Sequence, residues 1–166
     1  MPKQIRNAIP LYPNTVNAFR TNGSVIPFGK MYGKGVNQVV LSRLDYVFNS
    51  RKMHPSSLLT VEMNRSINKI DAKPFLSPCS CGNAADCFIS QGYLQSLTFK
   101  CSACQPPNAE PTNPQWQVGR SLNDLEHMFS GTYARIRKQI QKATKCIVVA
   151  KGYDGNITFL KANKFV

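Results

Sequence analysis

Five of the six cysteines fall between Cys79 and Cys104, and this clustering constrains the fold more than any other feature of the chain. From Pro78 the segment reads PCSCGNAADCFISQGYLQSLTFKCSAC. Cys101-x-x-Cys104 is a standard half-site, in which a tight turn lets two thiolates share one ion while nearby amides hydrogen-bond to the sulfurs. The first half, Cys79-Ser80-Cys81-Gly82, has one intervening residue instead of two to four, but its glycine suits the turn that a metal knuckle requires. Four thiolates suit a tetrahedral, borderline-soft ion, and binding it folds a segment that has little core of its own. The expected ligands are therefore Cys79, Cys81, Cys101 and Cys104 around a structural Zn²⁺, with Cys87 as the substitute for Cys79 or Cys81. An iron–sulfur cluster also takes four cysteines, but neither common spacing is present. Cys146 lies in the apolar run CIVVA and reads as a core thiol.

A disulfide framework is the other use of six cysteines, and it belongs to exported proteins. The start MPKQIRNAIPLYPN is basic without a following hydrophobic segment, so no secretory signal is read there. Nor does any apolar run approach the roughly 20 residues needed to span a bilayer. The expectation is a cytoplasmic protein with reduced thiols and no membrane association.

Composition divides the chain into an N-terminal basic α+β region (1–75), a zinc-ribbon module (76–105), a Pro-rich linker (106–115) and a C-terminal region (116–166). In the first region, VNQVVLSRLDYVF places Val36, Val40, Leu44, Val47 and Phe48 at helical spacing, with Arg43 on the wet side. Leu58 to Met63 (LLTVEM) reads as a strand. Within the cysteine module, Tyr93 to Phe99 alternates as a strand that delivers Cys101. The linker segment PPNAEPTNP has four prolines in nine residues, which rules out a central strand or helix. Ser121 and Asp124 form a capping-box pattern before Leu122, Leu125, Met128 and Phe129. TYARIRKQIQKATK then predicts a helix burying Tyr133, Ile136, Ile140 and Ala143. In CIVVAKGYDGNITFLK, two β-prone runs flank Asp154-Gly155, a strong hairpin signal. The fold class expected is α+β: a small mixed domain with an embedded four-cysteine zinc ribbon and a C-terminal helix plus β-hairpin.

Charge points to the partner. Twenty-one Lys and Arg stand against eight Asp and Glu, a net +13. Such an excess favours a polyanion, because cations that neutralise phosphates release condensed counterions. Arg135, Lys138, Lys142 and Lys145 recur along one side of the predicted helix with Arg137 flanking, and the helix holds no acid to balance them. These five are the leading phosphate contacts. Arg43, Arg51, Lys52, Arg65, Lys69 and Lys73 form a second basic set. Lys30 and Lys34, in a glycine-containing loop, have close access to a backbone. Tyr12, Phe19, Phe28 and Tyr32 are aromatics suited to stacking on unpaired bases or to anchoring loops.

Catalytic patterns are missing. His54 and His127 are remote in sequence from the cysteines, and no H-x-E precedes a P-C-x-x-C pair as in zinc deaminases. Neither a phosphate-binding P-loop nor a G-x-S-x-G nucleophile elbow occurs. A zinc ion held by four cysteines leaves no open position for water. The chain is therefore expected to be no enzyme and to take no small-molecule substrate.

Cys-x-Cys-Gly followed some twenty residues later by Cys-x-x-Cys, in a small basic protein, resembles the zinc-finger module of the large (Cas-type) subunit of type IV CRISPR effector complexes. The resemblance covers residues 79 to 104, and more faintly 146 to 162. It implies a non-catalytic subunit that holds one end of a guide RNA beside other protein subunits and helps to engage target duplex, while base pairing supplies sequence specificity. The competing expectation is a zinc-ribbon module that docks on a protein such as RNA polymerase. A duplex-reading transcription regulator, with a recognition helix and usually a dimer, is the third.

Overall fold

A computed structural model describes residues 25–27, 29–91, 96–113 and 115–166. Tyr12, Phe19, Phe28 and the first part of the strand expected from Tyr93 lie outside the described residues. The architecture is mixed α+β: a helical assembly packed on one face of a three-stranded antiparallel sheet.

The first helical pattern forms two helices, α1 (Val36–Ser42) and α2 (Leu44–Met53), joined at Arg43. Arg43 leaves the helical region (φ −139°, ψ 50°) and its guanidinium turns back onto Asp45 through Nε (3.1 Å) and Nη2 (3.0 Å). Asp45 is buried in the first turn of α2, where a negative charge also suits the helix dipole. The apolar spacing survives the break. Val36, Val40, Leu44, Val47 and Phe48 are all buried.

Residues 58–63 are not a strand. They open α3 (Leu58–Asp71), capped by Ser57, whose Oγ accepts from the Thr60 amide at 3.1 Å. The buried set Leu59, Met63, Ile67 and Ile70 has the helical period. Six residues were too short a window to show it, and the pattern emerges only over three turns.

Strand β1 (Cys87–Gln91) is central, paired antiparallel with β2 (Leu97–Lys100) and β3 (Trp116–Gly119) in the order β2-β1-β3. Its two faces are both covered. Phe88 faces the main core, whereas Cys87 and Ile89 join Ala109, Val118 and Trp116 in a second cluster. Residues 106–113 form turns, as their prolines require, and their buried Ala109 closes that second cluster. The sheet thus draws β3 from beyond the proline-rich segment onto the cysteine module.

Ser121 does form a capping box with Asp124, over a 3₁₀ turn (Leu122–Asp124) that leads into the short α4 (Leu125–Met128). Helix α5 runs from Tyr133 to Ala150. The expected C-terminal hairpin is absent, because Cys146 to Ala150 form the last turns of α5. Ile147 and Val148 are adjacent and both fully buried, which one face of a half-solvated strand does not permit. The helix ends at Gly152 (φ +95°), with the Tyr153 amide donating to Val148 O (2.9 Å) and Gly152 N to Val149 O (2.9 Å), a Schellman arrangement. The chain does bend at Gly155 (φ +80°), but this segment connects α5 to α6 (Phe159–Phe165).

Lys151, just past α5, is 6% exposed. Its ammonium donates to the carbonyls of Asp71 (3.1 Å) and Lys73 and lies 4.3 Å from the centroid of the Phe75 ring. Burial lowers its pKa from the ordinary lysine value, against the opposing pull of Asp71. The Asp71 carboxylate in turn accepts from Ser121 Oγ (2.6 Å) and Leu122 N (3.0 Å). One polar chain therefore fastens the ends of α3 and α5 to the start of the 3₁₀ turn.

Candidate metal centre and basic helix

The four cysteines reach their positions by two turns. At the first, Cys79 N donates to Asn83 O (2.8 Å), Gly82 N donates to Cys79 O (2.8 Å), and Pro78 bridges Ala84. Gly82 has φ +88°, a conformation that L side chains rarely adopt, so the one-residue spacing between Cys79 and Cys81 is accommodated by the glycine after it. The second turn follows β2: a single 3₁₀ turn (Ser102–Cys104) in which Cys104 N donates to Cys101 O at 2.9 Å. Two hydrogen bonds hold the module's rim, Lys100 Nζ to Ser80 Oγ (2.8 Å) and Ser102 Oγ to Asp86 (2.7 Å).

The sulfurs of Cys79, Cys81, Cys101 and Cys104 all lie within 4.8 Å of one another, with Cys81 and Cys101 3.5 Å apart. A tetrahedral ion with metal–sulfur bonds of about 2.3 Å needs its sulfurs about 3.8 Å apart. All four are free thiols, and the set is close enough to hold a metal ion. Cys79 and Cys101 are buried, while Cys81 and Cys104 are exposed. Hydrogen bonds from the backbone at Cys81 and Cys101 lower Cys79 to about 6, and hydrogen bonding among the neighbouring thiols pushes Cys104 up to about 12.

Cys87 is not part of this group. It faces the second hydrophobic cluster, its thiol donates to Lys100 O (3.2 Å), and burial pushes its pKa up to about 11. Register decides this, since Cys87 pairs opposite Lys100, on the strand that leads into Cys101. Cys87→Ala is expected to keep the full metal content of the wild type, measured by mass spectrometry of the native protein. In the wild type Cys87 should also resist iodoacetamide until the protein unfolds.

The basic residues separate by environment. Arg135, Lys138, Lys142 and Lys145 are exposed along α5, opposite the buried Ile140, Ala143, Thr144, Ile147 and Val148. Arg137 is exposed on the other flank, one turn after Tyr133. Tyr133, expected in the buried stripe, is instead 62% exposed, because the first turns of α5 extend past the core. Ile136 is only half-buried, and the buried face starts in earnest at Ile140.

Arg51 and Lys52 stand differently. Arg51 Nη1 donates to Asn64 (2.9 Å) and Asn123 (2.7 Å), its guanidinium lies over the Phe48 ring, and Nη2 is 3.5 Å from Glu126. Lys52 Nζ lies 2.7 Å from the same carboxylate but is two-thirds exposed. Arg51 is thus committed to joining α2, α3 and α4, whereas Lys52 keeps access to solvent. Lys30 and Lys34 are exposed on the turns before α1, on either side of Tyr32, which is exposed as well. Compared with known protein families, curated proteins and solved structures, the chain matches none of them. Among the described residues, no helix is long and apolar enough to cross a membrane.

The cysteine turn and the basic helix are joined directly. Leu76, three residues before Cys79, donates its amide to Ala150 O at 2.8 Å. The first cysteine turn is therefore tied through the main chain to the C-terminal end of the helix that carries the basic row.

Proposed function

We propose that the chain is a non-catalytic nucleic-acid-binding subunit, with a structural Zn²⁺ held by Cys79, Cys81, Cys101 and Cys104. The observation that carries this reading is the row on α5: four exposed cations on the face away from the core, on a helix with no acid of its own. Of the eight acids, six are engaged elsewhere, as helix caps, ion pairs or hydrogen-bond acceptors for other parts of the fold. Such a row positions a phosphate backbone without reading its sequence. Zinc is favoured over other ions by the all-thiolate donor set. Its role is to fix the two cysteine turns, because four sulfur ligands leave no coordination site for a substrate.

The cysteine pattern, which resembles that of type IV effector subunits except in its one-residue first spacing, supports a place in a ribonucleoprotein alongside other subunits. Sequencing the nucleic acid that copurifies with the native protein tests this, and a single guide-like RNA is the expected product. Lys138→Glu with Lys142→Glu is expected to weaken binding to every nucleic acid tested, on the order of tenfold or more, and to lower the salt slope by about 1.5. Unchanged affinity and slope in a fluorescence titration would remove the basic row from the interface and favour docking on a protein.

A further inference from the structure

We propose that Tyr133 is a stacking platform for an unpaired base, which makes single-stranded nucleic acid the substrate class of the basic helix. This inference rests on the nucleic-acid reading above and specifies it.

Three observations meet at the first turn of α5. The Tyr133 ring is 62% exposed, an unusual position for a large aromatic on a helix whose later turns are well packed. Its hydroxyl accepts a hydrogen bond from Asn49 Nδ2 on α2 at 3.3 Å. Arg137 is its exposed neighbour one turn on, and Arg43, paired with Asp45, lies on the facing helix end. Farther along the same flank, Gln141 Nε2 donates to Asp45 (3.1 Å), a second polar contact between α5 and α2.

An exposed ring hydrogen-bonded at its hydroxyl offers a flat apolar face. A base is the complementary group, since every base has a π-face and the neighbouring Arg137 attracts the attached phosphates. Bases inside a duplex already have both faces stacked, so the ring selects strands whose bases are free. The first turns of α5 are exposed on both flanks, with Tyr133 and Arg137 on one and Arg135 and Lys138 on the other. A strand crossing this end meets the ring and the start of the phosphate-binding row together.

The test uses the full chain with three fluorescein-labelled probes of equal length: a mixed-sequence single strand, a blunt duplex and an abasic phosphodiester chain. Tyr133→Ala is expected to weaken single-strand binding about 5- to 150-fold, the range that loss of one stacked base gives. Duplex and abasic binding should stay at the wild-type level, and the salt slope should not change, because no cation is lost. Tyr133→Phe should retain most of the affinity. Equal single-strand affinities for wild type and Tyr133→Ala would overturn the proposal, and so would an equal loss on the abasic chain. If Lys138→Glu with Lys142→Glu weakens binding while Tyr133→Ala does not, stacking alone fails. If the wild type shows no salt-dependent binding to any probe, the nucleic-acid reading fails with it.

Discussion

Cys101→Ser is expected to release the metal and to abolish cooperative unfolding of the cysteine module. Structural zinc contributes an apparent binding free energy of about 10–16 kcal/mol at pH 7 in small zinc modules, comparable with or larger than the roughly 5–15 kcal/mol that stabilises a typical domain. Besides the cysteines, residues 78 to 86 are held by an isolated bridge, two backbone hydrogen bonds within the turn, the Asp86 amide on Lys100 O, the two rim hydrogen bonds to Ser80 and Asp86, and the buried Ala85. Cys101 is also the first residue past β2, so its loss frees the end of an edge strand. Damage should spread from the module to the sheet, while α1, α2 and α5, packed in the main core, keep their helical signal for longer. Metal content by elemental analysis and thermal melting by circular dichroism read the two effects separately. A variant that keeps one equivalent of zinc and melts like the wild type would take Cys101 out of the site. A chelator strong enough to strip the wild-type protein should reproduce the variant's melting curve. Protons compete with the metal for thiolates, so release should become easier as the pH falls.

The second large effect lies where the sheet meets the helices. Phe88 is fully buried and pairs across β1 and β3 with Gly119. A Cβ built on Gly119 would come within 2.4 Å of the Phe88 ring, far inside contact distance. The glycine is required because the phenyl ring occupies the space a side chain would take. Phe88→Ala should cost about 3–5 kcal/mol through lost burial and the cavity left behind. Gly119→Ala should cost about 1–3 kcal/mol through overpacking. The double variant should be less destabilised than the sum of the two, because the alanine methyl then enters the space the ring vacated. Additive losses in urea denaturation would mean that Gly119 is constrained by something other than Phe88.

Much of the cysteine cluster was legible in the sequence because its geometry is local. Two short turns and a strand bring the four sulfurs together, and glycine at position 82 signals the tight first turn despite its unusual spacing. The capping box at Ser121 and the core positions of α1 and α2 were legible for the same reason, since each depends on neighbours within a turn or two. Mixed α+β architecture followed from the contrast between helical periods and the alternating cysteine segment.

Tertiary structure decided the rest. LLTVEM and CIVVA are apolar runs whose composition suits strand or helix equally, and each became helix because its long-range neighbours bury a helical stripe. Asp154-Gly155 specified a bend but not the kind of element on either side of it. Cys87 was excluded from the cysteine cluster by strand register, which points its thiol into the second hydrophobic cluster and away from the other four. Arg51 shows how little charge alone says about role: the fold buries most of its side chain among Asn64, Asn123, Phe48 and Glu126. Tyr133 moved the opposite way, from a predicted core position to an exposed one, because the core ends before the helix does. Sequence by itself determined the local chemistry, a four-cysteine cluster and a basic helix with no acid of its own. Which of those groups face solvent, and which face one another, depended on contacts between residues far apart in the chain, where burial free energy outweighs local preference.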